Sequence, residues 1–141
     1  GIWSGNPALD ADTLWGGEGN DTLAATSGSD LLDGGAGNDD LSWQGGLDLA
    51  EPAVLLGGLG NARISVSSGL AQIDAGDGDD WIVGTGWNVN LQITTGSGVD
   101  TIEMRTSYGT QVVTDFAAGP GGDRIDATAL LGWALDFAGG N

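Results

Sequence analysis

Cysteine, histidine and lysine are absent from this 141-residue chain. Without cysteine there is no thiol nucleophile and no disulfide, so something else must staple the fold. Without histidine there is no imidazole base and no zinc–histidine site. Without lysine there is no Schiff base. Positive charge is nearly missing too. Three arginines, Arg63, Arg105 and Arg124, stand against twenty acidic residues, a formal charge of −17. That balance repels phosphates and anionic membrane surfaces, which disfavours a nucleic-acid or membrane-surface partner. Only three prolines occur and no three-residue period, so the glycine content is not collagen-like. There is no signal-peptide pattern and no apolar run of membrane-spanning length. There is also no initiator methionine, and the chain is read as a piece of a longer protein.

What is present is acid, glycine and an apolar share of 40%, too high for simple disorder. These residues are ordered by a nine-residue period. Residues 16–24 read GGEGNDTLA, 25–33 ATSGSDLLD, 34–42 GGAGNDDLS and 43–51 WQGGLDLAE. The pattern is two glycines, a spacer, glycine, a spacer, aspartate, a spacer, a large apolar residue and a spacer. A five-residue slip is placed at Pro52–Leu56, within an irregular stretch near 49–56. The period then resumes through 57–65, 66–74 and 75–83. Residues 84–92 are degenerate, Ile93 and Thr94 are read as extra, and 95–103 restore the pattern. Glycine permits the tight turns, aspartate offers hard oxygen ligands, and the apolar residue points inward from a short strand. One such residue per repeat cannot form a core, so the repeats must stack. The expected core is Leu14, Leu23, Leu32, Leu41, Ile64, Ile73, Ile82, Leu91 and Ile102.

This pattern resembles the RTX (repeats-in-toxin, haemolysin-type calcium-binding) nonapeptide family over roughly residues 10–126. The resemblance implies an all-β, right-handed parallel β-roll with two nonapeptides per turn. Calcium would then lie between turns on each edge. Carboxylates should therefore recur at eighteen residues. Asp12, Asp30 and Asp48 do so, as do Asp21 and Asp39. Paired ligands are expected at Asp12 with Asp30, Asp30 with Asp48, and Asp21 with Asp39. By the same resemblance the turn residues Gly16, Glu18, Asn20, Gly28, Gly34, Ala36, Asn38 and Gly46 complete the shells through backbone carbonyls. Weaker sites are expected at Asp80, Asp100, Asp115 and Asp123, for about three to five calcium ions in all. Past the slip the aspartate position is read as Ala62, Ala71 and Val89, so the second half is expected to rest more on packing than on metal. Arg63 is read as a solvated arginine rather than a stand-in cation.

The roll is expected over residues 1–111 and a capping segment over 112–141. Asp126 is read as the N-cap of a short apolar helix at 127–137, ending before a type I secretion signal. Of the six tryptophans, Trp81 should face outward, and packing is preferred to a ligand-binding row. Paired acids such as Asp39–Asp40 are not read as a glycosidase pair, because adjacent strand residues point to opposite faces. The functional expectation is a non-enzymatic calcium-binding module of a larger secreted bacterial protein. It would fold on extracellular calcium after type I export, attached to upstream domains. The alternatives are a segment of a surface adhesin or surface-layer protein, or a glycan-binding module using exposed tryptophans.

Overall fold

A computed structural model of the chain describes residues 2–4, 11–45, 51–105 and 109–127. Among them are eleven strands and no helix: β1 (Ile2–Ser4), β2 (Thr13–Glu18), β3 (Thr22–Thr26), β4 (Leu31–Ala36), β5 (Asp40–Gln44), β6 (Ala53–Leu56), β7 (Arg63–Asp74), β8 (Trp81–Thr94), β9 (Thr101–Met104), β10 (Gln111–Val113) and β11 (Arg124–Asp126). Every strand pairing is parallel. Two stacks result. The first holds β1, β3, β5, the starts of β7 and β8, β9 and β11. The second holds β2, β4, β6, the ends of β7 and β8, and β10. The chain alternates between stacks, so each stack supplies the crossover that parallel pairing in the other requires. The result is a parallel β-roll.

Strand alternation sends every second side chain inward, and register lines these up as rows. Leu23, Leu41, Ile64, Ile82 and Ile102 are successive neighbours in the first stack. Leu14, Leu32, Leu55, Ile73 and Ile93 are their counterparts in the second. All ten are buried, each contributing roughly 1.5–3 kcal/mol of apolar burial. The expected core is confirmed, with Leu55 and Ile93 added.

Two readings of the period shift. Ala53–Leu56 is a regular strand in register with Leu31–Asp33, so the five extra residues precede it, after Gln44. Ile93 belongs to the core row, and the register irregularity of β8 lies between Gly84 and Val89 instead. In both places the excess is absorbed at a bend, because displacing a core row would expose every side chain beyond it. Pairing also runs on through β10 and β11, so the rolled part reaches Asp126. Asp126 is the last residue of β11. The expected helix at 127–137 falls, beyond its first residue, outside the described residues.

Two edges join the stacks. On one, the glycine-rich loops 16–21, 34–39, 57–62, 75–80 and 95–100 lie over one another, tied by bridges that join Ala36 to Leu59, Leu59 to Asp77, and Asp77 to Ser97. At several of the glycines in the stacked loops the neighbouring backbone leaves no room for a side chain. Gly35 has φ of 92°, and a Cβ on it would run into the carbonyl oxygen of Gly17 one turn below. The opposite edge carries the bends near 27–30, 67–70 and 85–90.

Candidate metal centre

The aspartate that closes each glycine-rich loop starts the next strand from inside the roll. Asp21, Asp39, Asp80, Asp100 and Asp123 are all buried. Strand register puts them in one column, interrupted by Ala62 between Asp39 and Asp80. The Oδ1 atoms of Asp39, Asp80, Asp100 and Asp123 each accept the backbone N–H of the same position one turn earlier. Asp21 donates to Asp39 (2.8 Å), Ala62 to Asp80 (2.7 Å), Asp80 to Asp100 (2.8 Å) and Asp100 to Asp123 (3.2 Å). A second ladder runs the other way, one residue before. The amides of Asn38, Asn61, Asp79 and Val99 donate to the side-chain oxygens of Asn20, Asn38, Asn61 and Asp79, at 2.8–2.9 Å. Asn20 and Asn38 thus contribute ladder acceptors, a role the period alone did not reveal. The recurring Asn–Asp pair in GGEGND and GGAGND was its only signal.

The second carboxylate oxygens are the chemically open ones. Oδ2 of Asp39, Asp80 and Asp100 is buried with no hydrogen-bond partner. A buried anionic oxygen left so is costly unless a cation or proton joins it. Burial, helped by the neighbouring Asp100, Asp79 and Asp77 charges, pushes Asp80 up to about 7 despite the hydrogen bond from Ala62. Burial likewise raises Asp100 to about 6, with Asp123 adding to it against the hydrogen bond from Asp80. Burial raises Asp39 too. Hard oxygens that resist ionising in isolation suit a hard cation such as calcium. Among the described residues no three acidic side chains converge on one point. An ion here would therefore rest on one or two carboxylates, with carbonyl oxygens of the glycine turns for the remainder.

The column ends in a compact knot. Asp115 accepts the amides of Thr95 (2.8 Å) and Gly96 (2.9 Å) and the Thr95 hydroxyl. Burial would raise its pKa, but these hydrogen bonds outweigh it and hold Asp115 below the usual range. Asp123 Oδ2 accepts the Thr95 hydroxyl (3.2 Å) and the Ala117 amide (2.8 Å). Both residues are thereby engaged in closing the last turn.

On the opposite edge the pattern is different. The amide of Asp12 donates to Asp30 Oδ1 (2.9 Å), as the eighteen-residue spacing expects. The other oxygen of Asp30 accepts the indole N–H of Trp43 at 2.9 Å. Trp43 is buried. One turn further, the register that pairs Leu31 with Val54 places Ala53 beside Asp30. Gly46 and Asp48 lie outside the described residues. Beyond Ala53 the column continues as Ala71, Leu91 and Gln111, so Leu91 rather than Val89 occupies it. Gly28 sits in the first bend here at φ of 101°. Glu18 and Ala36 are register partners on the glycine-rich side, and the Ala36 carbonyl accepts the Gly19 amide (2.7 Å).

Residues 9–41 match the family model of the RTX calcium-binding nonapeptide repeat, in four copies. The repeats are of the RTX type. No curated protein and no solved structure matches the chain. Glycine-rich loops stacked in the same way continue past the matched segment, through 57–62, 75–80 and 95–100, the last two carrying the buried Asp80 and Asp100. The second half is thus more acidic inside than its sequence suggested. Arg63 points outward, 3.6 Å from Asp40 Oδ2, as a surface arginine. Trp15 and Trp87 are exposed and Trp81 partly so, but Trp15 lies on the second stack, Trp81 on the first and Trp87 on the opposite edge, so they form no row. Trp3 and Trp133 fall outside what is described of side chains.

Proposed function

We propose that this chain is a non-enzymatic RTX module of a larger secreted protein, and that calcium decides whether it folds. The observation that carries this is the column of buried carboxylates with unpartnered oxygens. Without a cation those groups oppose the compact state, as does the overall charge of −17. With calcium they become its fastening. At a Kd of about 0.1 mM and calcium of about 1 mM, each ion adds roughly 1.4 kcal/mol by mass action. About three to five ions then add roughly 4–7 kcal/mol, comparable to the whole stability of a domain. The chain would stay open where free calcium is scarce, which suits type I export, and close outside the cell. Upstream domains of the same polypeptide and the export machinery are the partners this implies.

Calcium titration of the chelator-stripped protein tests it, followed by far-UV circular dichroism with magnesium as control. A coil-to-β transition between micromolar and millimolar calcium, absent with magnesium, is the expected result. A β-rich spectrum in chelator, unmoved by calcium, would overturn the switch and leave a metal-independent scaffold.

A further inference from the structure

The outward positions of the first stack read Asp40, Arg63, Trp81, Thr101 and Arg124 on successive rungs. The Arg63 guanidinium lies over the Trp81 indole, 4.9 Å from its centre. One face of that ring is therefore turned along the roll toward Arg63, and the other toward the rung of Thr101. Thr101 is small, and the next large side chain is Arg124. With rungs about 4.8 Å apart, Trp81 and Arg124 stand roughly 10 Å from each other, room for one ring above Thr101. A cleft of about 650 Å³ opens at this place, with Asp79 at one end and Glu103 and Asp126 at the other. Trp81 is 38% exposed, while Glu103 is only 8% exposed. Glu103 Oε1 accepts from Arg105, but its Oε2 is buried without a hydrogen-bond partner.

We propose that this cleft binds a neutral saccharide, one sugar ring stacking its C–H face on Trp81. Its hydroxyls would donate to Glu103 and accept from Arg124. A bare aromatic face ringed by a few convergent polar groups is the usual composition of a small-ligand site. The mixture of signs selects the ligand class. Anions meet the acidic surplus of the chain. An organic cation meets Arg124 and an indole already engaged by Arg63. A polyol satisfies donor and acceptor together. Trp81, Glu103 and Arg124 belong to strand positions, while Asp79 and Asp80 of the loop column line the edge of the cleft, so the test is made on calcium-loaded protein.

The test uses calcium-loaded protein with a confirmed β spectrum. Cellotriose, tri-N-acetylchitotriose and maltotriose serve as probes, with tetramethylammonium as the cationic control. Tryptophan fluorescence and saturation-transfer NMR report binding. The expected result is saturable binding of at least one trisaccharide, weakened about tenfold or more by Trp81→Ala. It should be abolished by Thr101→Arg, which fills the slot from an outward position, and unchanged in Trp87→Ala. Overturning results are no binding of any trisaccharide, binding indifferent to Trp81→Ala and Thr101→Arg, or binding of tetramethylammonium alone. Loss of the β spectrum in chelator bears on the switch and not on the cleft.

Discussion

The two edges of the roll began from one repeat and solve the same problem differently. On the glycine-rich edge the loops keep one length and carry a buried aspartate in all but one of their turns. On the other edge the single well-described buried aspartate is capped by an indole, and the column continues as Ala53, Ala71 and Leu91. One edge carries a column of open carboxylate oxygens, and the described part of the other is packed by apolar side chains. A repeat can therefore drift toward apolar packing on one side while metal chemistry persists on the other, because the two columns share a core but no loop.

Trp43→Ala should separate them most strongly. Loss of a buried indole costs about 3–5 kcal/mol, and urea denaturation should show the same loss at every calcium concentration that folds the chain. Asp39→Ala should instead cost more as calcium rises. Equal calcium sensitivity of the two variants would erase the distinction between the edges.

Trp43→Phe is the finer cut. It keeps most of the packing but strands Asp30 Oδ2, at a cost of about 1–3 kcal/mol. A loss that shrinks as calcium rises would mean that an ion takes over the oxygen the indole released, so that this edge too accepts a cation.

Filling the one gap in the acidic column is expected to change sign with metal. Ala62→Asp places a carboxylate between Asp39 and Asp80, and it should stabilise the calcium form by about 1.4 kcal/mol while destabilising the metal-free form. Denaturation curves at low and at high calcium, both sufficient for folding, would show it as a gain that grows with calcium, and destabilisation at both would count against a metal-binding column.

A last test concerns pH in calcium-free buffer. Asp80 and Asp100 hold their protons up to about 7 and about 6 in the fold, against an ordinary value of 3.8. Between these limits the folded chain binds more protons than the unfolded one, so stability falls as pH rises from about 4 to 7. β-content without calcium should thus be greater at pH 5 than at pH 8. With calcium the trend should invert, since the ion requires the ionised form. A flat profile without calcium would place these carboxylates in water.

The period made the roll legible, because glycine, aspartate and the inward leucine each answer to a separate physical demand. It also made Asp21 with Asp39 and Asp12 with Asp30 legible. Counting by eighteen then failed for a definite reason. Thr22 pairs with Asp40, Asp40 with Arg63, Arg63 with Trp81, and Trp81 with Thr101, in steps of 18, 23, 18 and 20 residues. The surplus falls between Gln44 and Ala53 and between Gly84 and Val89, away from the acidic column, so Asp80 and Asp100 line up although their spacing says otherwise. Trp43 was hidden because it stands where the repeat has glycine, and only register reveals that it turns inward toward Asp30. The asparagine ladder was hidden because a spacer position looks free until its neighbour one turn away is known.

The bulge between Gly84 and Val89 carries a practical consequence. It shows that this flank of the roll accepts added chain without transmitting the change to the rungs on either side. A peptide tag, a fluorophore-bearing loop or a surface anchor grafted there would ride on a scaffold whose ion-responsive side does not register its presence.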